Sequence, residues 1–186
     1  MALADRTTSF DRRLIVIVAA GSAVALALGV YGNVHDPTGR SLVTLFFTGT
    51  INIKVWLATG AIALAVFQVA SALRIYGRIG SGEAPAWLED AHRIAGTGAF
   101  VLSLPVAYHC LWALGFTADA GVRVLVHSIA GCFFYGAFVA KVASVRTEGL
   151  PSWTLPVVGG TVFSALVVVW LTSSFWFFTT VEFPGF

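Results

Sequence analysis

Charged residues are scarce in this sequence. Asp, Glu, Lys and Arg make up 11% of its 186 residues, whereas soluble globular domains carry about 25%. Such a chain cannot cover a water-facing surface in the usual way, so an ordinary soluble domain is excluded. The hydrophobic residues, which form 58% of the chain, fall in five blocks of roughly twenty, the length of a transmembrane helix. The sequence therefore predicts an all-α integral membrane protein.

Several features that carry chemistry are missing as well. The two cysteines, Cys110 and Cys132, lie inside apolar segments and lack the spacing of a metal site or a redox pair. No nucleophile, catalytic dyad or phosphate-binding loop is visible, so any catalysis is expected to be redox chemistry, and no nucleic-acid partner is expected. No internal repeat is present and no polar loop exceeds about twenty residues. We therefore expect one transmembrane domain over residues 1–186.

The five apolar blocks predict five transmembrane helices, at residues 14–31, 50–73, 92–116, 122–145 and 153–178. Each has about the twenty residues that cross ~30 Å of hydrocarbon at 1.5 Å per residue. The first block is interpreted as a membrane helix, because its apolar run is longer than that of a usual signal peptide.

The Lys and Arg residues predict the orientation, because cytoplasmic ends carry an excess of them. One side of the predicted bundle carries eight: Arg6, Arg12, Arg13, Arg74, Arg78, Arg93, Lys141 and Arg146. The other side carries three: Arg40, Lys54 and Arg123. This asymmetry places the N-terminus in the cytoplasm and the C-terminus outside, in a protein of the plasma membrane.

Two of the four histidines are expected at a similar depth. His109 lies in the outer part of the third helix and His127 in the outer part of the fourth, and the loop between these helices is short. Facing imidazoles on neighbouring membrane helices are suited to hold a b-type haem as its two axial ligands. Proton transfer, binding of another metal, and structural hydrogen bonding are the alternative roles.

Residues near these histidines are candidates for the surroundings of the haem. Gly131 and Gly96 each lie one turn after a histidine and would leave room for a flat ring, although helix packing explains them equally well. Arg123 and Lys54 would neutralise haem propionates. For Arg123 the alternative is pairing with Asp119, and for Lys54 it is snorkelling to the interface.

The remaining histidines, His92 and His35, are further candidate ligands. His92 is about 25 Å from His109 along a helix, so it cannot share an iron with it. A second haem would need an inner ligand opposite His92, for which Lys141 and Gln68 are the candidates. Alternatively, His92 with Arg93 binds propionates, a quinone head group or a lipid phosphate. His35, just beyond the first helix, is an alternative outer ligand, and both histidines could simply be solvated.

The segments "HRIAG…PVAYHC" and "RVLVHSIAGCFFYG" resemble the cytochrome b-561 and ferric-reductase transmembrane group. That resemblance covers the third and fourth helices and implies bis-histidine haem ligation and electron transfer through the membrane. The chain is also similar over most of its length to a family of five-helix proteins from high-GC Gram-positive (actinobacterial) bacteria, which brings no established function. The four-histidine, two-haem pattern is incomplete here, because three histidines are expected on the outer side and one on the inner side.

The sequence thus predicts a cytochrome with one b-type haem, or two as the alternative, that passes electrons from membrane quinol to an extracytoplasmic redox protein. A small membrane protein with short loops is expected to function in a larger complex or as a homo-oligomer. A structural or assembly subunit of a respiratory complex is the second hypothesis. A proton or metal transporter is the third, and the absence of acidic residues from the helix centres argues against it.

Overall fold

The computed structural model describes residues 2–40, 44–116 and 120–181, with side chains from residue 12 onwards, and the regular secondary structure within these ranges is helical. The helices are α1 (Ala2–Val34), α2 (Thr50–Ile75), α3 (Trp87–Tyr108), α4 (Val122–Arg146), α5 (Thr154–Trp170) and the short α6 (Trp176–Thr180). Two π-helical segments extend the others. His109–Leu114 continues α3, and Leu171–Phe175 joins α5 to α6.

Five helical stretches in these ranges are long and apolar enough to cross a membrane. They are Arg12–Val34, Thr50–Ile75, Trp87–Leu114, Val122–Arg146 and Thr154–Thr180. The prediction of an all-α chain with five membrane-length helices is therefore confirmed for the described residues, among which no strand occurs. The orientation of the termini stays a prediction.

The helices differ from their predicted bounds mainly at polar ends. The first helix begins at Ala2, which is before its predicted start at residue 14. The residues in between are polar, but they are helical as well. The third begins at Trp87, and its first turn carries Glu89 and Asp90. Acidic residues favour a helix start because they interact with the positive end of its dipole. Helix bounds predicted from apolar blocks do not include such polar first turns.

The chain divides into two compact units. The first unit comprises Met1–His35 and Phe116–Val169, and the second comprises Asp36–Gly115 and Trp170–Phe186. In sequence terms, the first contains α1, α4 and α5 to Val169, and the second contains α2, α3, both π-helical segments and α6.

Two glycines set the approach of α1 and α4 in the first unit. A Cβ atom added to Gly21 would lie 2.6 Å from the carbonyl oxygen of Gly136, and one added to Gly136 would lie 2.5 Å from the carbonyl oxygen of Gly21. The backbones therefore meet where neither helix has a side chain, as is common between membrane helices.

In the second unit, α2 and α3 pack antiparallel with side chains placed over glycines. The Cδ1 atom of Leu64 would lie 3.2 Å from a Cβ at Gly98, and that of Leu102 would lie 3.2 Å from a Cβ at Gly60. Each helix thus receives a leucine of the other where it has no side chain of its own. This packing fixes the register of the two helices.

The C-terminal helical segment is bound to α2 in the same unit. The indole N–H of Trp170 donates to the Thr59 hydroxyl at 3.1 Å, and that hydroxyl donates to the Val55 carbonyl at 2.7 Å. The Val55 oxygen also accepts the hydroxyl of Ser174, at 3.2 Å. Ser174 is fully buried, so its hydrogen bond satisfies a polar group that has no access to solvent.

Candidate functional site: the histidines of the two units

His109 is the first residue of the π-helical segment that follows α3. Its side chain is 1% exposed, and Nδ1 lies 2.7 Å from the carbonyl oxygen of Pro105. Because a carbonyl oxygen only accepts, Nδ1 must carry the hydrogen, which leaves the lone pair of the neutral imidazole on Nε2. Nε2 is buried and has no hydrogen-bond partner. A buried polar nitrogen without a partner is costly and needs an explanation.

The end of this π-helical segment is fixed by the chain that precedes α2. The backbone N–H of Thr38 donates to the Trp112 carbonyl at 3.2 Å, and that of Gly39 donates to the Ala113 carbonyl at 3.0 Å. Gly115 has a φ of 69°, and a Cβ there would lie 2.6 Å from Cγ of Pro37. Two of the carbonyls at the end of the helix thus have hydrogen-bond donors from outside it.

His127 lies on α4 in the first unit and is half-buried. Its Nδ1 is 3.2 Å from the carbonyl oxygen of Val169. By the same reasoning Nδ1–H donates to this oxygen, and the lone pair is on Nε2. His109 and His127 therefore share one tautomer, each fixed by a backbone carbonyl. Histidines that ligate metals commonly donate their second ring nitrogen to such an oxygen.

The other predicted residues of α4 lie on either side of His127. Gly131 follows it by one helical turn, and a Cβ added there would meet no atom within 4 Å. Arg123 precedes it by one turn and is half-buried. Gly131 is thus not a packing glycine of the kind formed by Gly21 and Gly136, and its role beside a haem stays a prediction. Asp119 lies outside the described residues.

His92 belongs to the second unit, near the start of α3. Its Nδ1 is 2.8 Å from the hydroxyl oxygen of Ser71 on α2. Gln68, also on α2, donates its amide N–H to the His92 carbonyl. The Gln68 amide lies over Gly96, where a Cβ would come within 2.9 Å of Oε1. Gly96 therefore makes room for Gln68 of α2.

Arg93, Lys54 and His35 have separate surroundings. Arg93 lies 3.6 Å from Glu89 and 3.8 Å from Asp90 in the first turns of its own helix, and all three side chains are exposed. Lys54 is half-buried on α2. His35 stacks on Tyr31, with ring centroids 5.0 Å apart and planes 10° apart. The roles of these three residues toward a cofactor stay predictions.

The described residues contain no group of three or more His, Cys, Asp or Glu side chains that could hold a metal ion. A metal site built from protein ligands alone therefore has no support here, whereas a haem needs only two axial ligands. Sequence reasoning missed Ser71 and the carbonyls of Pro105 and Val169. The spacing of Gln68 and Ser71, three residues apart in an apolar helix, places both on one face and could have indicated the polar contact with His92.

The family described as "Family of unknown function (DUF6529)" matches residues 14–185. No curated protein and no solved structure matches the chain.

Proposed function

We propose that this chain, which belongs to the DUF6529 family of unknown function, is a b-type membrane cytochrome. In this proposal the imidazoles of His109 and His127 would hold one haem. The protein would pass electrons from membrane quinol to an extracytoplasmic redox protein. It would span the plasma membrane with its N-terminus in the cytoplasm, and it would act within a larger assembly or as a homo-oligomer.

The observation that carries the proposal is the buried Nε2 atom of His109, which has no partner in the described structure. An iron ion would use its lone pair and remove the cost of burying it. The Pro105 carbonyl fits this role, since a hydrogen bond at Nδ1 fixes the ring and increases the basicity of Nε2. These residues fit one side of a haem site.

Two further observations support the choice of His127 as the second ligand. Its Nδ1 is held by the Val169 carbonyl, so this imidazole has the same ligating tautomer. The space at Gly131, one turn away on the same helix, would admit the edge of a flat ring. The third argument comes from the sequence, where the two histidines are eighteen positions apart and one short loop joins their helices.

The remaining candidate residues would not ligate the iron in this proposal. Arg123 would neutralise a propionate, since it precedes His127 by one turn. Lys54 reaches the interface by snorkelling or serves a second propionate. A bound haem supplies reversible one-electron transfer at iron, and two protein ligands leave no open position for oxygen chemistry. We do not include His35 among the ligands, because its ring is stacked on Tyr31.

The decisive experiment is a reduced-minus-oxidised absorbance spectrum of the protein purified in mild detergent from haem-supplied cells. We expect a sharp α-band in the region of b-type cytochromes and a pyridine haemochrome assay that gives one haem per chain. His109→Ala and His127→Ala should each abolish the band, and His35→Ala is the control that should retain it. A featureless wild-type spectrum would refute the cytochrome and favour the structural subunit. Loss of the band in His35→Ala alone would mean that the second ligand is misassigned.

A further inference from the structure

The loop that joins α2 to α3, residues 76–86, is folded around the side chain of Arg74. The Arg74 guanidinium donates to three successive backbone carbonyls, those of Ser81, Gly82 and Glu83, at 2.9, 2.9 and 2.8 Å. Gly80 has a φ of 76°, and a Cβ there would lie 3.1 Å from Nε of Arg74. Glycine therefore suits this position, and the middle of the loop has a defined conformation.

The beginning of the same loop is fixed by the end of α2. The backbone N–H of Arg78 donates to the Leu73 carbonyl at 2.8 Å, and that of Gly77 donates to the Arg74 carbonyl at 3.2 Å. Gly77 has a φ of 65°. These two bonds and the left-handed glycine form a Schellman motif. The backbone of Arg78 is thus held in place, while its side chain is exposed.

The arginines at this end of the second unit differ in their partners. Arg74 is engaged by the loop carbonyls, and Arg93 lies beside two acids of its own helix. The Arg78 guanidinium has neither an ion pair nor a hydrogen bond to any residue that the structure describes. Glu83, the acid of this loop, is exposed and is not paired with it. Arg78 therefore presents an uncompensated positive charge on a rigid backbone.

Apolar side chains lie on either side of this charge along the loop. Tyr76 is 54% exposed, Ile79 is 45% exposed and Trp87, at the start of α3, is 62% exposed. The loop connects two helices that are each long and apolar enough to cross a membrane, so it lies at the membrane surface when they do. Tyr and Trp are enriched at that level, where their rings meet the lipid head groups.

We propose that Arg78 binds the phosphate of an anionic phospholipid, with Tyr76 and Ile79 against the boundary between head group and acyl chain. A guanidinium matches a phosphate because its N–H groups donate in pairs to two oxygens. A lipid is favoured over a soluble protein, because apolar side chains flank the charge in a loop between membrane-length helices. The preference for an anionic lipid follows from charge, since the cation of a zwitterionic head group repels the guanidinium.

The experiment locates the lipid and does not depend on haem. The full chain is placed in nanodiscs of phosphatidylcholine that contain a small fraction of phosphatidylglycerol with a photoreactive diazirine in its head group. After illumination, cross-linked peptides are quantified by mass spectrometry. We expect cross-links in residues 76–87 that unlabelled phosphatidylglycerol suppresses and additional phosphatidylcholine does not. No cross-link in this segment, or equal suppression by the two lipids, would refute the proposal.

Variants test the assignment to Arg78. Arg78→Gln should lower the yield in residues 76–87 about fivefold, which is the contribution of one Arg near an anionic membrane surface. Arg78→Lys should give an intermediate yield, because it keeps the charge and loses the paired donors. Arg40→Gln is the matched control, since it removes the same charge from an exposed position in the segment before α2 and should leave the yield unchanged.

Each variant is first compared with the wild type by circular dichroism, so that a change in yield is not a change in folding. An unchanged yield in Arg78→Gln would overturn the proposal. An equal loss in Arg40→Gln would also overturn it, because overall charge rather than a site would then attract the lipid. If this loop instead cross-links to a protein that Arg78→Gln releases, its partner is a protein and the lipid assignment is wrong.

Discussion

Three histidines each have Nδ1 engaged by an oxygen of the protein. Nδ1 of His92 lies 2.8 Å from the Ser71 hydroxyl oxygen, Nδ1 of His109 lies 2.7 Å from the Pro105 carbonyl oxygen, and Nδ1 of His127 lies 3.2 Å from the Val169 carbonyl oxygen. A carbonyl oxygen only accepts, so the lone pair of His109 and of His127 is on Nε2, and these two histidines share one tautomer. The sequence predicted that these residues matter, because intramembrane histidines are rare and functional. It could not predict the tautomers, because the accepting oxygens belong to residues whose contacts depend on the fold.

His109 offers the sharpest residue-level prediction. Replacing it by leucine should abolish the haem band, while the haem-free variant should unfold within about 2 °C of the haem-free wild type or above it. The reason is that leucine removes a buried nitrogen that has no partner, and an apolar group of similar size carries no such cost. The measurement is thermal unfolding of both haem-free proteins in one detergent, followed by circular dichroism.

His92→Leu is the contrasting variant in that experiment. It removes the hydrogen bond between His92 and the Ser71 hydroxyl, so it should lower the unfolding temperature of the haem-free protein. A large loss of stability in His109→Leu without haem would instead assign His109 a structural role, which is the alternative that the sequence left open.

At the scale of the elements, the sequence predicted the helices well and their irregular parts poorly. Apolar length located all five membrane-length helices, because each must satisfy its backbone within itself. Pro105 lies inside α3, where a proline removes a backbone donor. The structure keeps α-helix through Pro105 and becomes π-helical only at His109. The second π-helical segment, Leu171–Phe175, contains no proline, and no local sequence signal predicts it.

The glycines also show what the sequence could not predict. Small residues in apolar helices predict close packing, and Gly96, Gly98 and Gly136 do lie against other helices. Gly131 has the same sequence context and lies against open space. Which glycines pack depends on the rotation of each helix about its axis, and the nearly uniform apolar character of a membrane helix leaves that rotation undetermined.

The packing of α1 on α4 gives the prediction at this scale. Gly21→Ala should lower the free energy of unfolding by about 1–3 kcal/mol, because its Cβ would clash with the Gly136 backbone at 2.6 Å and the helices must separate. Gly29→Ala on the same helix is the matched control. Its Cβ meets nothing within 4 Å, and alanine favours helix over glycine by up to about 1 kcal/mol.

Unfolding of both variants in mixed micelles of a mild detergent and sodium dodecyl sulfate gives the two free energies. Equal effects of the two substitutions would show that the backbone contact between Gly21 and Gly136 does not hold α1 against α4. A stabilised Gly29→Ala beside a destabilised Gly21→Ala is the expected pattern.

At the scale of the whole molecule, the charges divide unevenly between the two ends of the predicted bundle. On the side with more Lys and Arg, two of these side chains also donate hydrogen bonds to backbone carbonyls of loops. Arg74 donates to the carbonyls of Ser81, Gly82 and Glu83 in the loop that follows α2, and Arg13 donates to the Glu148 carbonyl at 2.5 Å. These residues thus fix loop conformations, and in the predicted orientation they also supply the positive charge that is retained in the cytoplasm.

The orientation can be measured with single cysteines in a variant that lacks Cys110 and Cys132. Asp36→Cys lies after α1, on the side predicted to be outside, and Ser81→Cys lies in the loop after α2, on the side predicted to be cytoplasmic; both positions are exposed. A membrane-impermeant maleimide should label Asp36→Cys in intact cells and Ser81→Cys only after permeabilisation. The reverse pattern would place the N-terminus outside and His109 and His127 near the cytoplasmic face. A haem held by these residues would then exchange electrons with a cytoplasmic partner, so this experiment also decides on which side the redox partner must be sought.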